Sequence, residues 1–231
     1  LMGGAQKKLA QLETDAKQIR AYLEQAAADY REAADRRQRT GTLDSYPILN
    51  AIVIEVLLGN DDVDREVVLS QCEAQAQENF EETRSVWDAI TIADVALIRA
   101  LIGQLLPEES DNLVHTYRAA FAKSSATQRE QDSALTQMRF IREMLKKLPH
   151  SDRKLVASAI EALDAIVKQL GTPERLSVSQ AKPTSAGISS EPRRSRPLPK
   201  HLGQKKPTRK DTGRQPSRIK VKTGKRRPTL S

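Results

Sequence analysis

All eight aromatic residues of this chain precede Ile141, whereas eight of its eleven prolines follow Gly171. No other feature limits the fold so strongly. A segment with many prolines, no aromatic residue and high charge buries too little apolar surface to offset the entropy of ordering it. Charge divides at the same place. Beneath the formal +8 of the whole chain, residues 172–231 carry a net +14 and residues 1–171 a net −6. The sequence therefore reads as an acidic folded body over 1–171 and a disordered Pro/Lys/Arg-rich tail over 172–231.

Composition narrows what the body can be. Aromatic residues make up only 3% of the chain, which argues against an aromatic-rich β-sandwich or barrel. Cys72 is the single cysteine, so there is no intramolecular disulfide framework and no multi-thiolate zinc site. No uncharged apolar stretch reaches the roughly 18 residues of a membrane span. Leu1 precedes Met2, and neither a signal-peptide pattern nor a myristoylation motif follows. Localisation is left unknown, with cytoplasmic as the default expectation.

Between the breakers Pro47, Gly59, Pro107, Pro149 and Gly171 the apolar spacing is helical throughout. It predicts helices over about 5–39, 46–58, 62–106, 108–148 and 152–170, and no strand pattern is found. The first carries a heptad seam, Leu9, Leu12, Ala16, Ile19, Leu23, Ala26, Tyr30 and Ala33. Its alanines permit close helix approach, and an antiparallel neighbour in the same chain suits it better than a parallel zipper. In the second, Asp44 or Ser45 caps, Pro47 fits the first turn and Gly59 the end; its all-round apolarity marks a core helix. The third is expected to bury Val63, Val67, Cys72, Ala76, Phe80, Val86, Trp87 and Ile90, with a break near Thr91. The fourth has apolar ends but a polar middle at Ser124, Thr127 and Gln131, as in a helix that leaves its bundle partway or pairs through polar contacts. The fifth, capped by Ser151 or Asp152, presents Leu155, Val156, Ile160, Leu163, Ile166, Val167 and Leu170. The expected fold is all-α: an elongated antiparallel helical bundle with coiled-coil character.

Catalytic chemistry finds little support. Ser151-Asp152-Arg153-Lys154, Ser110-Asp111-Asn112 and Lys222-Thr223-Gly224 match the three short signatures of penicillin-recognising serine enzymes. Their order is reversed, however, and the last has no strand to present it; helix capping explains both serines. Asp62-Val63-Asp64-Arg65-Glu66 opens like a calcium loop but lacks its glycine and closing glutamate. His115, His150 and His201 show no ligand spacing. No nucleotide-binding loop is present, Cys72 reads as a small core residue, and neither metal nor cofactor is expected.

The tail carries the functional expectation. Arg193, Arg194, Arg196, Lys200, Lys205, Lys206, Arg209, Lys210, Arg214, Arg218, Lys220, Lys222, Lys225, Arg226 and Arg227 have no aromatic residue among them. Base stacking is therefore unsupported, and sequence-independent attraction to a polyanion remains, driven by release of condensed counterions. The absence of bulky apolar residues favours nucleic acid over anionic lipid. The resulting expectation is a non-enzymatic helical scaffold with a polyanion-binding tail. Its body would associate with itself or a protein partner through Leu9, Leu12, Ile19, Leu23 and Tyr30, with no small-molecule substrate. Two alternatives are a translocated effector whose basic tail is an export signal, and a membrane-active protein using 48–58 and 86–106.

Overall fold

A computed structural model describes residues 2–60, 64–150 and 152–171. They belong to one unit, Leu1–Ser177; a second unit, Val178–Ser231, lies outside the described residues, as does the expected basic tail. The fold is all-α. Eight helices run in order among the described residues: α1 (Met2–Leu12), α2 (Ala16–Gln38), α3 (Ser45–Leu57), α4 (Arg65–Thr83), α5 (Val86–Ile102), α6 (Leu106–Ser124), α7 (Gln128–Lys147) and α8 (Arg153–Gly171).

Three of the expected long helices are each a pair. The 5–39 helix breaks at 13–15, where Glu13 Oε1 accepts from the backbone N–H groups of Thr14 (2.7 Å) and Asp15 (3.1 Å). Those bonds hold the Glu13 carboxyl below the usual carboxylate range. Asp15 then caps α2 by accepting from the N–H groups of Lys17 and Gln18. The chain doubles back, so that Gly3 at the start of α1 faces Ala26 and Tyr30 of α2. A Cβ on Gly3 would meet the Tyr30 ring at 3.0 Å and the Ala26 carbonyl at 3.1 Å. The alanines of the seam do allow close approach, between the two arms of one hairpin.

The 62–106 helix breaks at Arg84 and Ser85, earlier than the expected position near Thr91. Arg84 is left-handed, at φ 55°, and its N–H closes α4 on the Phe80 carbonyl. The side chain of Thr83 accepts from the Ser85 N–H at 3.2 Å, and Ser85 begins α5. The 108–148 helix breaks at Ser125, also left-handed at φ 55°. Thr127 then opens α7, its backbone N–H and hydroxyl both donating to Glu130 Oε2 at 2.8 and 2.7 Å. The polar middle of that seam is thus a turn and not an exit from the bundle. Ser124 donates to the Ala120 carbonyl and Gln131 to that of Ala126, completing it.

Boundaries elsewhere follow the local signals. Asp44 accepts from the Tyr46 N–H at the start of α3, and Gly59, at φ 74°, lies just past its end. Asp152 Oδ1 accepts from the N–H groups of Lys154 and Leu155 at the start of α8.

α1 packs on α2, α2 on α3, and α3 against α4, α5 and α7. α5 also packs on α4 and α6, while α8 is shared by α6 and α7. α3 is enclosed as expected, its Ile54 and Val53 fully buried and its Glu55 paired with Arg31 at 2.5 Å. Leu69, Cys72, Ala76 and Phe80 supply the buried side of α4, and burial pushes the Cys72 thiol up. Two residues expected inside are instead exposed: Val67, and Trp87 at 55%. Leu155, expected on the buried face of α8, is also exposed, whereas Leu163 and Ile166 are fully enclosed.

Candidate functional site

The face of α5 formed by Trp87, Ile90, Thr91, Asp94, Leu97 and Ile98 does not close fully against its neighbours. These six positions step by three and four, so a single helix presents them as one stripe. Opposite them stand Lys7 of α1, Tyr46, Leu49, Asn50 and Val53 of α3, and Ser133, Ala134, Thr136 and Gln137 of α7. Together they line a cavity of about 570 Å³. Its walls are mainly apolar, with a few convergent polar groups, and its volume lies within the roughly 300–1,000 Å³ of small-molecule sites.

Two charged side chains meet this space. The Lys7 ammonium donates to Asn50 Oδ1 (2.7 Å) and Gln137 Oε1 (2.8 Å), and sits 4.2 Å above the centroid of the Phe140 ring. It thereby ties α1 to α3 and α7. Asn50 is itself buried and fixed by donating to the Tyr46 carbonyl at 2.8 Å. Burial outweighs the attraction of Asp94 and lowers the Lys7 pKa to about 8.

Asp94 is held differently. The Tyr117 hydroxyl of α6 donates to its Oδ1 at 2.5 Å. Burial raises its pKa to about 6, against the opposing pull of that hydrogen bond and of the Lys7 charge. Burial and the neighbouring carboxylate push Tyr117 well above the ordinary phenol range. At neutral pH Asp94 is therefore an ionised group that loses solvation on folding and regains it only in part. Tyr117 occupies one carboxylate oxygen, and no other described side chain donates to Asp94.

Sequence reasoning missed this site. Neither Asp94 nor Lys7 stands in a motif that singles it out in the sequence. The α5 stripe is legible as a helical face, but nothing in the linear pattern tells which helices stand opposite. Of the residues expected to carry association, Ile19, Leu23 and Tyr30 are buried in the α1–α2 hairpin and its neighbours. Leu9 and Leu12 are exposed, at 42% and 73%. All the basic residues assigned to polyanion binding, Arg193 through Arg227, lie outside the described residues.

The capping role expected of Ser110 is not found: α6 already begins at Leu106, so Ser110 lies within the helix and donates to the Pro107 carbonyl at 3.1 Å, while Asn112 donates to Glu109. Ser151 and Lys222-Thr223-Gly224 lie outside the described residues, as do Asp62 and Val63 of the calcium-like run. Among the described residues no three His, Cys, Asp or Glu side chains are grouped to hold a metal, and no helix is long and apolar enough to cross a membrane. Comparison with family models, curated proteins and solved structures found no match.

Proposed function

We propose that this chain is a non-enzymatic helical interaction protein that attaches to nucleic acid, or to another polyanion, through its basic segment 193–227. The observation that supports this reading is the charge division, +14 over residues 172–231 against −6 over 1–171. Dense Lys and Arg without aromatic residues suit contact with phosphates and leave base sequence unread. The helical body then contributes partner contacts. Leu9 and Leu12 are its proposed contact residues, since exposed leucines on one short helix are available to a second protein surface.

The test compares the full chain with a 1–172 truncation for binding to random duplex DNA and RNA over a salt series. Affinity is expected to fall steeply with salt, by a log–log slope of about −0.9 for each phosphate neutralised. It is expected to disappear with the basic segment. Weak, tail-independent binding at low salt would remove the nucleic-acid reading and leave the segment as an export signal or a passive terminus. Binding to anionic vesicles but not to DNA or RNA would reassign the polyanion to lipid.

A further inference from the structure

The geometry points to the cavity between α1, α3, α5 and α7 as a binding site for a small organic cation, an amine with an apolar body, whose ammonium meets Asp94. The proposal uses none of the residues assigned to polyanion binding and goes beyond that reading. Four observations support it. The cavity is about 570 Å³, large enough for a small amphipathic molecule, and mainly apolar. Leu49, Val53, Ile90 and Leu97 offer a wall for a hydrocarbon body. Trp87 and Tyr46 line the same space while remaining more than half exposed, and aromatic faces attract organic cations.

The polar groups supply the fourth observation, because they are not equally free. Lys7 has its hydrogens directed to Asn50 and Gln137, with the Phe140 ring beneath the ammonium. Asn50 and Gln137 have accordingly given their carbonyl oxygens to Lys7. Asp94 has only Oδ1 engaged, by Tyr117. A carboxylate that lines a largely apolar space, with one oxygen unengaged and no ion pair of its own, can form a strong charge-assisted hydrogen bond with an ammonium group. Its ionisation above about pH 6 adds that the acceptor is charged at neutral pH. The charged or titratable groups facing it from the packed helices are Lys7, which remains protonated below about 8, and Tyr117, which remains neutral.

The experiment uses the full chain and its single tryptophan, Trp87, as the reporter. Hexylammonium, hexanoate and 1-hexanol are titrated separately at matched ionic strength while Trp87 emission is followed. Hexylammonium is expected to give a saturable blue shift, with hexanoate weaker by about tenfold or more, the scale of one charge-assisted contact. Asp94→Asn is expected to bring hexylammonium down to the affinity of 1-hexanol and to leave 1-hexanol unchanged. Lowering the pH from about 7.5 to about 5 is expected to weaken hexylammonium in the wild type but not in Asp94→Asn. Equal or tighter binding of hexanoate would overturn the proposal, because Lys7 would then be taking the charge of the ligand. Absence of a saturable signal, or an Asp94→Asn variant that binds hexylammonium as well as the wild type, would overturn it too. Should Asp94→Asn fail to fold, Thr91→Leu, which fills the void and keeps the carboxylate, decides. Retained helicity with a lost hexylammonium signal supports the site, and unchanged affinity refutes it.

Discussion

α3 and α5 are both strongly apolar helices that border one cavity, yet they carry their buried carboxylates differently. Ile54 in the middle of α3 has no exposed surface, and the carboxylate on that helix, Glu55, is answered by Arg31 at 2.5 Å. On α5 the tryptophan at the start of the stripe is exposed, and the carboxylate further along it, Asp94, has a phenol for a partner and no ion pair. The contrast separates two placements of a carboxylate. Both helices wall the cavity, but α3 pairs its carboxylate away from that space, whereas α5 sets Asp94 against it. A carboxylate that costs stability where it sits is a stronger sign of function than one that is paired.

That contrast breaks most readily at the core. Ile54→Ala should lower stability by about 3 kcal/mol, the usual scale of a fully buried large-to-small change. Trp87→Ala should cost less than about 1 kcal/mol, since its ring is 55% exposed. Thermal or denaturant unfolding of the two variants would show the difference, and equal losses would mean that the Trp87 end of α5 is as tightly enclosed as the middle of α3.

The second prediction runs in the opposite direction. Below an unfolded-state pKa near 3.8 Asp94 is protonated in both states and its ionisation costs nothing. Between there and about 6 the folded protein keeps a proton that the unfolded chain has lost, so stability falls as pH rises. Above about 6 the penalty is complete. Asp94→Asn keeps an acceptor for Tyr117 and removes the charge, so it should stabilise the protein by about 2 kcal/mol at neutral pH. The gain should shrink as pH falls and vanish near 4. A pH series of melting temperatures checks this; a variant less stable than wild type at neutral pH would show that Asp94 holds the fold together, as Glu55 does.

Smaller effects test the turns and close approaches that set these helices in place. Gly3→Ala puts a methyl group 3.0 Å from the Tyr30 ring and 3.1 Å from a backbone carbonyl, and should cost about 1–2 kcal/mol in denaturant melts. Since α1 carries Lys7, the substitution should also displace one wall of the cavity, which the Trp87 titration would register. Ser125→Gly relieves a left-handed residue between α6 and α7 and should raise stability by about 0.5–1 kcal/mol. No gain would mean that the α6–α7 turn stores no strain.

How far the fold could be read in advance differs from helix to helix. Caps at Asp44 and Asp152, the stop at Gly59 and the all-round burial of α3 were legible, because each depends on a few neighbouring residues. The turns at 13–15, 84–85 and 125–127 were not placed. A hairpin of two amphipathic helices can continue the three-and-four spacing on both sides of its bend, so periodicity alone runs straight through. The available signals were short clusters of capping residues, Glu13-Thr14-Asp15, Thr83-Arg84-Ser85 and Ser124-Ser125 before Thr127. Such residues bond to nearby backbone groups and compete with helix continuation. The missed bends also misplaced side chains: Leu9 and Leu12 belong to the other arm of the hairpin from Ile19, Leu23 and Tyr30.

By itself the sequence determined the class of structure and the division of charge. Helical period, helix caps and the confinement of aromatic residues to the first part of the chain are local or compositional, and they act before any distant contact forms. Only the tertiary structure decided that Lys7, Asn50, Asp94 and Gln137 surround one space. They come from four helices, α1, α3, α5 and α7, and their meeting depends on where three bends fold the chain back. The acidity of Asp94 and Lys7 was set there too, since desolvation is a property of the packed surroundings and not of the residue.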